Sequence, residues 1–145
     1  MRAVITVGKL DILPLLDGST LPRCGVVCTP VLSSLHAEEA VLIVGDGAVL
    51  PDRLCVMAAV VDSDSGFRQH RLNGTPVITC GLGSRNTISI TSKTAEYVTL
   101  SLNRSIHTLN GLCEPLELPL PVLDGMEDYG YMAAFAASIL LGNIG

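Results

Sequence analysis

Tryptophan is absent from this 145-residue chain, and three Tyr and two Phe bring the aromatic share to only 3%. A core built from such a sequence has to be aliphatic. The scarcity also argues against stacking platforms for single-stranded nucleic acid, which need aromatic rings in number. Charge is low too, at 16% of residues. No basic stripe is present. Residues 1–104 hold nine Lys/Arg against nine Asp/Glu, and the excess acids Glu114, Glu117, Asp124, Glu127 and Asp128 all follow Arg104. Phosphate-backbone binding depends on clustered cations, so no nucleic-acid partner is expected.

Long apolar runs are missing as well. The N-terminal stretch MRAVITVGKLDILPLL is broken by Gly8, Lys9, Asp11 and Pro14, unlike the apolar region of a signal peptide. Tyr129–Leu141 is shorter than the ~20 residues that a bilayer requires. These features set the expectation of a cytoplasmic protein without membrane partners. Several catalytic and nucleotide-binding signatures are also lacking. No GxxxxGK[ST] phosphate loop and no G-x-S-x-G elbow occurs. Gly81-Leu82-Gly83 leads toward a strand, so no helix N-terminus waits there for a phosphate. Asp62-Ser63-Asp64 has the rhythm of a calcium loop, but the twelfth position is Asn73 where a bidentate Glu is needed. Neither cofactor nor metal is implied.

The five Cys, at 24, 28, 55, 80 and 113, are spread along the chain. Cys24 and Cys28 have a C-x3-C spacing that does not fit a zinc hairpin, and no second pair completes a site. Reduced, buried thiols are the expectation. A Cys–His pair assembled by the fold, for example Cys80 with His70, is the one enzymatic alternative the composition offers.

What is present is aliphatic and orderly. Nearly half the residues are hydrophobic, and the mean hydropathy is +0.49. Five apolar runs punctuate the first half: Arg2–Val7, Gly25–Val31, Ala40–Val44, Val56–Val61 and Pro76–Cys80. Continuous runs predict strands covered on both faces, as in a parallel sheet. Ser33 or Ser34 is placed to cap a short helix over Leu35–Ala40, and Ser65 to cap a turn through Phe67–Leu72. After Gly83 the pattern alternates. Asn86–Ser92 and Tyr97–Leu102 predict an antiparallel ribbon, Leu116–Leu120 an edge strand, and Asn110-Gly111 a tight turn leading into it. Met126–Leu141 predicts a helix closed by Gly142. The reading is therefore one α/β domain over 1–145. Residues 1–83 form a mostly parallel, Rossmann-like sheet, and 84–145 an antiparallel ribbon with a C-terminal helix.

The order of elements from Val56 onward resembles the closing part of the central domain of Mur ligases. Ala59-Val60-Val61-Asp62-Ser63-Asp64 resembles that family's strand and acidic turn, and Val77–Gly81 its next strand. Asn86–Leu102 resembles its ribbon, and Tyr131–Gly142 its Ala-rich helix. The phosphate loop is absent, and Glu127, Asp128 and Gly130-Tyr131 stand where the family has ATP-holding residues. The resemblance thus implies a remnant without ATP binding, and no ligase residue transfers.

Most of the first-half strands end in Gly, Asp or Lys. In open parallel sheets ligands bind outside the carboxyl ends of the strands, which makes Lys9, Asp46, Asp62, Asp64 and Arg85 the candidate site residues. Tight turns demand the same residue types. Three functions follow from the sequence. The first is a non-catalytic protein acting through protein contact or homo-oligomer formation, with the small residues Ala133, Ala134, Ala136 and Ala137 available for close helix packing. The second is a small-molecule or nucleotide-like ligand at the strand ends. The third is a Cys/His-dependent enzyme.

Overall fold

The five apolar runs lie side by side in one sheet. A computed structural model describes residues 2–10, 12, 15, 25–29, 35–51, 53–65, 72 and 74–142. The strands are β1 (Ala3–Val7), β2 (Gly25–Thr29), β3 (Leu35–Val44), β4 (Leu54–Asp62), β5 (Val77–Cys80), β6 (Ile88–Lys93), β7 (Tyr97–Leu102), β8 (Ile106–Thr108), β9 (Gly111–Cys113) and β10 (Leu116–Pro121). Eight of them form a sheet in the order β10-β7-β6-β5-β4-β3-β1-β2, and β8 and β9 form a separate hairpin. From β2 to β6 every pairing is parallel, whereas β6·β7 and β7·β10 are antiparallel. The fold class is α/β, and β6 is the strand at which parallel pairing gives way to the ribbon.

Both faces of the parallel part are apolar. Val4, Val41, Ile43, Val60 and Ile78 face the C-terminal helix α1 (Asp128–Leu140). Ile5, Val7, Leu42, Ala59 and Val61 face the other way, packed with Leu72 and with Ala48 and Leu50 from the β3–β4 connection. Every residue of α1 from Tyr129 to Leu140 is buried. A helix apolar all round is a core element, and full burial of a side chain such as Phe135 or Leu140 contributes about 1.5–3 kcal/mol. Ala133, Ala134, Ala136 and Ala137 are consequently enclosed by the chain's own residues. The helix stops at Gly142, whose φ of +80° suits glycine, and its N–H bonds the Ile139 carbonyl at 2.9 Å.

Two expectations are corrected. Leu35–Ala40 is not a helix: it forms the first half of β3, paired with β4 as Leu35↔Leu54, His36↔Cys55 and Ala37↔Val56. Pairing along β4 overrides the local helical signal, and the exposed Glu38 and Glu39 lie at a register shift between Ala37 and Val41. Asn110-Gly111 does make a tight turn, but it closes β8–β9 rather than leading into β10, which pairs with β7. That hairpin caps the helix end, with Leu109 N–H on the Leu140 carbonyl at 3.0 Å. Cys24, Val31, the capping Ser33 and Ser34, His70 and the turn through 67–71 lie outside the described residues. No helix among the described residues is long and apolar enough to cross a membrane.

Candidate functional site

The sheet reverses direction at β1. β2 lies on one side of it and β3, β4 and β5 follow on the other, so the topological switch point falls between β1 and β3. Ligands of open α/β sheets bind at such a point, outside the carboxyl ends of the strands. Here the two strand ends are stitched together. Lys9 N–H donates to the Asp46 carbonyl at 2.7 Å, and Gly45 N–H to the Val7 carbonyl at 2.6 Å. Gly8, at φ +92°, makes that approach possible, since a Cβ there would lie 2.6 Å from the Asp46 carbonyl oxygen.

The next crevice, between β3 and β4, is stoppered by a side chain. Their register ends at Ile43↔Val60, so the Val44 carbonyl runs past the ladder. The Tyr129 hydroxyl lies 2.7 Å from that oxygen and 2.9 Å from the Val60 carbonyl, and shares its one proton between them. Burial, with the neighbouring Cys80 and Asp62, pushes the phenol well above its ordinary pKa, against the smaller opposing effect of the Val44 bond.

At the ends of β4 and β5, Asp62 pairs in register with Cys80. Asp62 Oδ1 accepts the Asp64 N–H at 3.0 Å, and Ser65 Oγ donates to the Asp62 carbonyl at 2.8 Å. These bonds fold Ser63–Ser65 into one 3-10 turn. Asp64 in turn accepts the Leu82 N–H at 3.3 Å. Ser63 Oγ lies 2.6 Å from Asn86 Oδ1 and 3.1 Å from the Cys80 carbonyl, and these groups crowd Gly81, where a Cβ would lie 2.5 Å from both side chains. Desolvation raises the Asp62 pKa first, against the Asp64 N–H bond, with the Asp64 and Glu127 charges adding to the rise.

The start of α1 sits over these turns. Between them lies a hollow of about 450 Å3 lined by Asp62, Asp64, Leu82, Glu127, Asp128 and Met132, among others. A second hollow of about 230 Å3 has Lys9 and Leu10 on one wall and Gly125, Met126 and Glu127 on the other. Met126 and Glu127 line both, so they stand between Lys9 and Asp62. Of the candidate residues, then, Asp62 and Asp64 share one hollow and Lys9 the next. Asp46 and Arg85 are exposed and line neither, and the Arg85 carbonyl accepts the Arg104 guanidinium at 2.6 Å.

The larger hollow is carboxylate-rich, which repels phosphate and favours cations. Its carboxylates do not converge on one point: among the described residues no three His, Cys, Asp or Glu side chains are grouped to hold a metal ion. Cys80 is fully buried, and burial together with Asp62 pushes its thiol far up, so it stays protonated and is a poor nucleophile. His70, its candidate base, lies outside the described residues. Sequence reasoning missed Tyr129 and Met126. The signal available for Tyr129 was a tyrosine in the first turn of a helix in a chain with only three.

No family model, no curated protein and no solved structure matches this chain.

Proposed function

We propose that this chain is a non-catalytic cytoplasmic α/β protein that acts through protein–protein contact, with further copies of itself among its partners. The observation that carries this reading is the closing of two strand-end crevices, β1–β3 and β3–β4, by the chain itself. The switch point is bridged by Lys9 N–H and the Asp46 carbonyl, and the β3–β4 mouth is plugged by the Tyr129 hydroxyl. Every buried side-chain polar atom among the described residues has a partner, so none is held in reserve for a ligand. Membranes and nucleic acids are not among the partners proposed. The Mur-ligase-like ancestry of residues 56–142 is part of the proposal, supported by the succession of β4, acidic turn, β5, ribbon and helix.

Thermal unfolding in the presence of millimolar nucleotides, with and without Mg2+, tests this reading. A ligand at a hundred times its Kd stabilises by about 2.7 kcal/mol, a shift of several degrees. No shift is expected. A nucleotide-dependent rise of that size overturns the reading. A second reading, a small cationic ligand in the hollow of Asp62, Asp64, Glu127 and Asp128, is supported by that hollow's charge, and stabilisation by an amine or guanidinium compound is its signature.

A further inference from the structure

The last carbonyls of α1 have no partners within the helix, and the segments around them supply donors. Leu109 N–H, in the turn of the β8–β9 hairpin, bonds the Leu140 carbonyl at 3.0 Å. The Arg2 guanidinium reaches the Leu141 carbonyl at 3.3 Å. The Asn110 side-chain amide donates to the Gly142 carbonyl at 2.9 Å, and a Cβ on Gly142 would overlap that amide. Two consecutive residues of the hairpin turn therefore hold the helix end. Beside them, Ile106 and Cys113 are buried in one core with Leu140 and Leu141, while Leu112 is exposed. The hairpin is a cover on the end of α1, and Asn110 is one of its two fastenings.

Asn110 is itself exposed, and it precedes Gly111, whose φ of +104° reserves that position for glycine. The turn thus builds an Asn-Gly step into the fastening. Asparagine is a chemically labile residue. It is most labile before glycine, where no side chain shields the following amide nitrogen from the asparagine carboxamide.

We propose that Asn110 is a site of spontaneous deamidation, and that the reaction releases the hairpin from α1 irreversibly. This goes beyond the contact reading and does not depend on it. The Gly111 amide nitrogen attacks Asn110 Cγ. The Cγ–Nδ2 bond breaks, and Nδ2 leaves as ammonia with the proton given up by the Gly111 nitrogen. Water then adds across one of the two C–N bonds of the cyclic imide, giving aspartate, or across the other, giving isoaspartate. No electrons are exchanged. Ring closure carries the amide away from the Gly142 carbonyl, so it proceeds when the hairpin lifts, and either product blocks the return. A carboxylate has no N–H for that carbonyl. It also sets a negative charge at the negative end of α1, whose last turn holds no basic residue. Isoaspartate further lengthens the backbone inside a turn whose flanks pair as Thr108↔Gly111, and turn length fixes hairpin register.

Ageing of the purified protein at neutral pH and body temperature, followed by peptide mapping and hydrogen exchange, tests this. The conversion replaces NH2 by OH, which the peptide mass records. Asn110 is expected to convert while Asn86 and Asn103, bonded within the ribbon and followed by Thr and Arg, stay intact. Asn73-Gly74 is read in its own peptide. In the converted fraction, and in freshly made Asn110→Asp, the Leu109 amide should exchange at least about tenfold faster than in fresh wild type. Asn110→Gln cannot close the same five-membered ring, and ageing should leave its own exchange rate unchanged. An Asn110 that stays intact as long as Asn86 and Asn103 overturns the site. A Leu109 amide equally protected in the converted fraction overturns the release. An Asn110→Gln protein that loosens on ageing as wild type does overturns the link between the two.

Discussion

Replacing Tyr129 by Phe removes one oxygen from the centre of the strand-end architecture and leaves the ring in place. The ring is buried, with the residue 7% exposed, so no water has ready access to what the hydroxyl leaves behind. Two carbonyls lose a donor, but they are not equivalent. Val60 lies within the β3·β4 register, whereas Val44 lies beyond its end. The loss is therefore one hydrogen bond and one stranded acceptor. A neutral hydrogen bond contributes about 0.5–1.5 kcal/mol net, and an orphaned buried acceptor costs about 1–3 kcal/mol. The two figures describe the same event, so they are not added. An expected loss of about 1–3 kcal/mol follows. For a chain of this length that lowers Tm by roughly 3–10 °C.

Urea unfolding followed by far-ultraviolet dichroism reads the loss directly, with Tyr97→Phe as the control. Tyr97 is half-exposed, so its hydroxyl should contribute close to nothing. A spectroscopic titration gives an independent check. The raised pKa of Tyr129 means that its phenolate forms only as the fold opens at alkaline pH. Its share of the tyrosinate signal should then coincide with unfolding and vanish in Tyr129→Phe. A variant within about 0.5 kcal/mol of wild type would refute the stopper. So would a Tyr129 that ionises while the dichroism is still native.

Other perturbations address the remaining parts of the same edge. Gly8→Ala places a Cβ against the Asp46 carbonyl at a φ of +92° and should cost at least about 2 kcal/mol in a urea titration. Asp62→Asn keeps an acceptor for the Asp64 N–H and removes a charge that burial disfavours. Because the folded pKa of Asp62 is raised, its carboxyl costs stability as pH climbs from the ordinary Asp value near 3.9 through the raised value. The variant should therefore be more stable than wild type at pH 7, and the two should converge in acid. Equal stability at both pH values would count against the assigned environment. In thiol labelling, exposed Cys28 should react readily and Cys80 only on unfolding. Hydrogen exchange should find the Lys9 and Gly45 amides protected in the ligand-free protein, since both are bonded within the chain.

Much of the fold was legible because burial on both faces leaves a plain mark. The continuous aliphatic runs of β1, β4 and β5 and the alternation of β7 mapped onto strands with small shifts of boundary. The C-terminal helix was equally plain, since Gly142 and the acidic first turn bracket it. The first half of β3 was not. Its Glu38 and Glu39 are exposed, and the local pattern of Ser, Leu and Glu is also that of a capped helix. Only the partner strand β4 decides the matter, and partners are not written in a local window. The β8–β9 hairpin escaped for a related reason: with three residues in each strand, it carries too few positions for a period to show. Strand order was out of reach altogether, and with it the location of the switch point.

The candidate site is legible in a different way. Lys9 and Asp46 were singled out because, with Gly8 and Gly45 beside them, they stand at the carboxyl ends of strands, where ligands of open parallel sheets bind. At Gly8 and Gly45 the backbone does come close to something, and the object approached is the neighbouring strand end. A sequence records the need for close approach and not the identity of what approaches. The distinction rests on residues far away in the chain, above all Tyr129, which reaches the same edge from a helix that follows the whole sheet. An edge that satisfies its own carbonyls and amides has little binding energy left to offer a polar ligand, because each new bond would have to displace one already made.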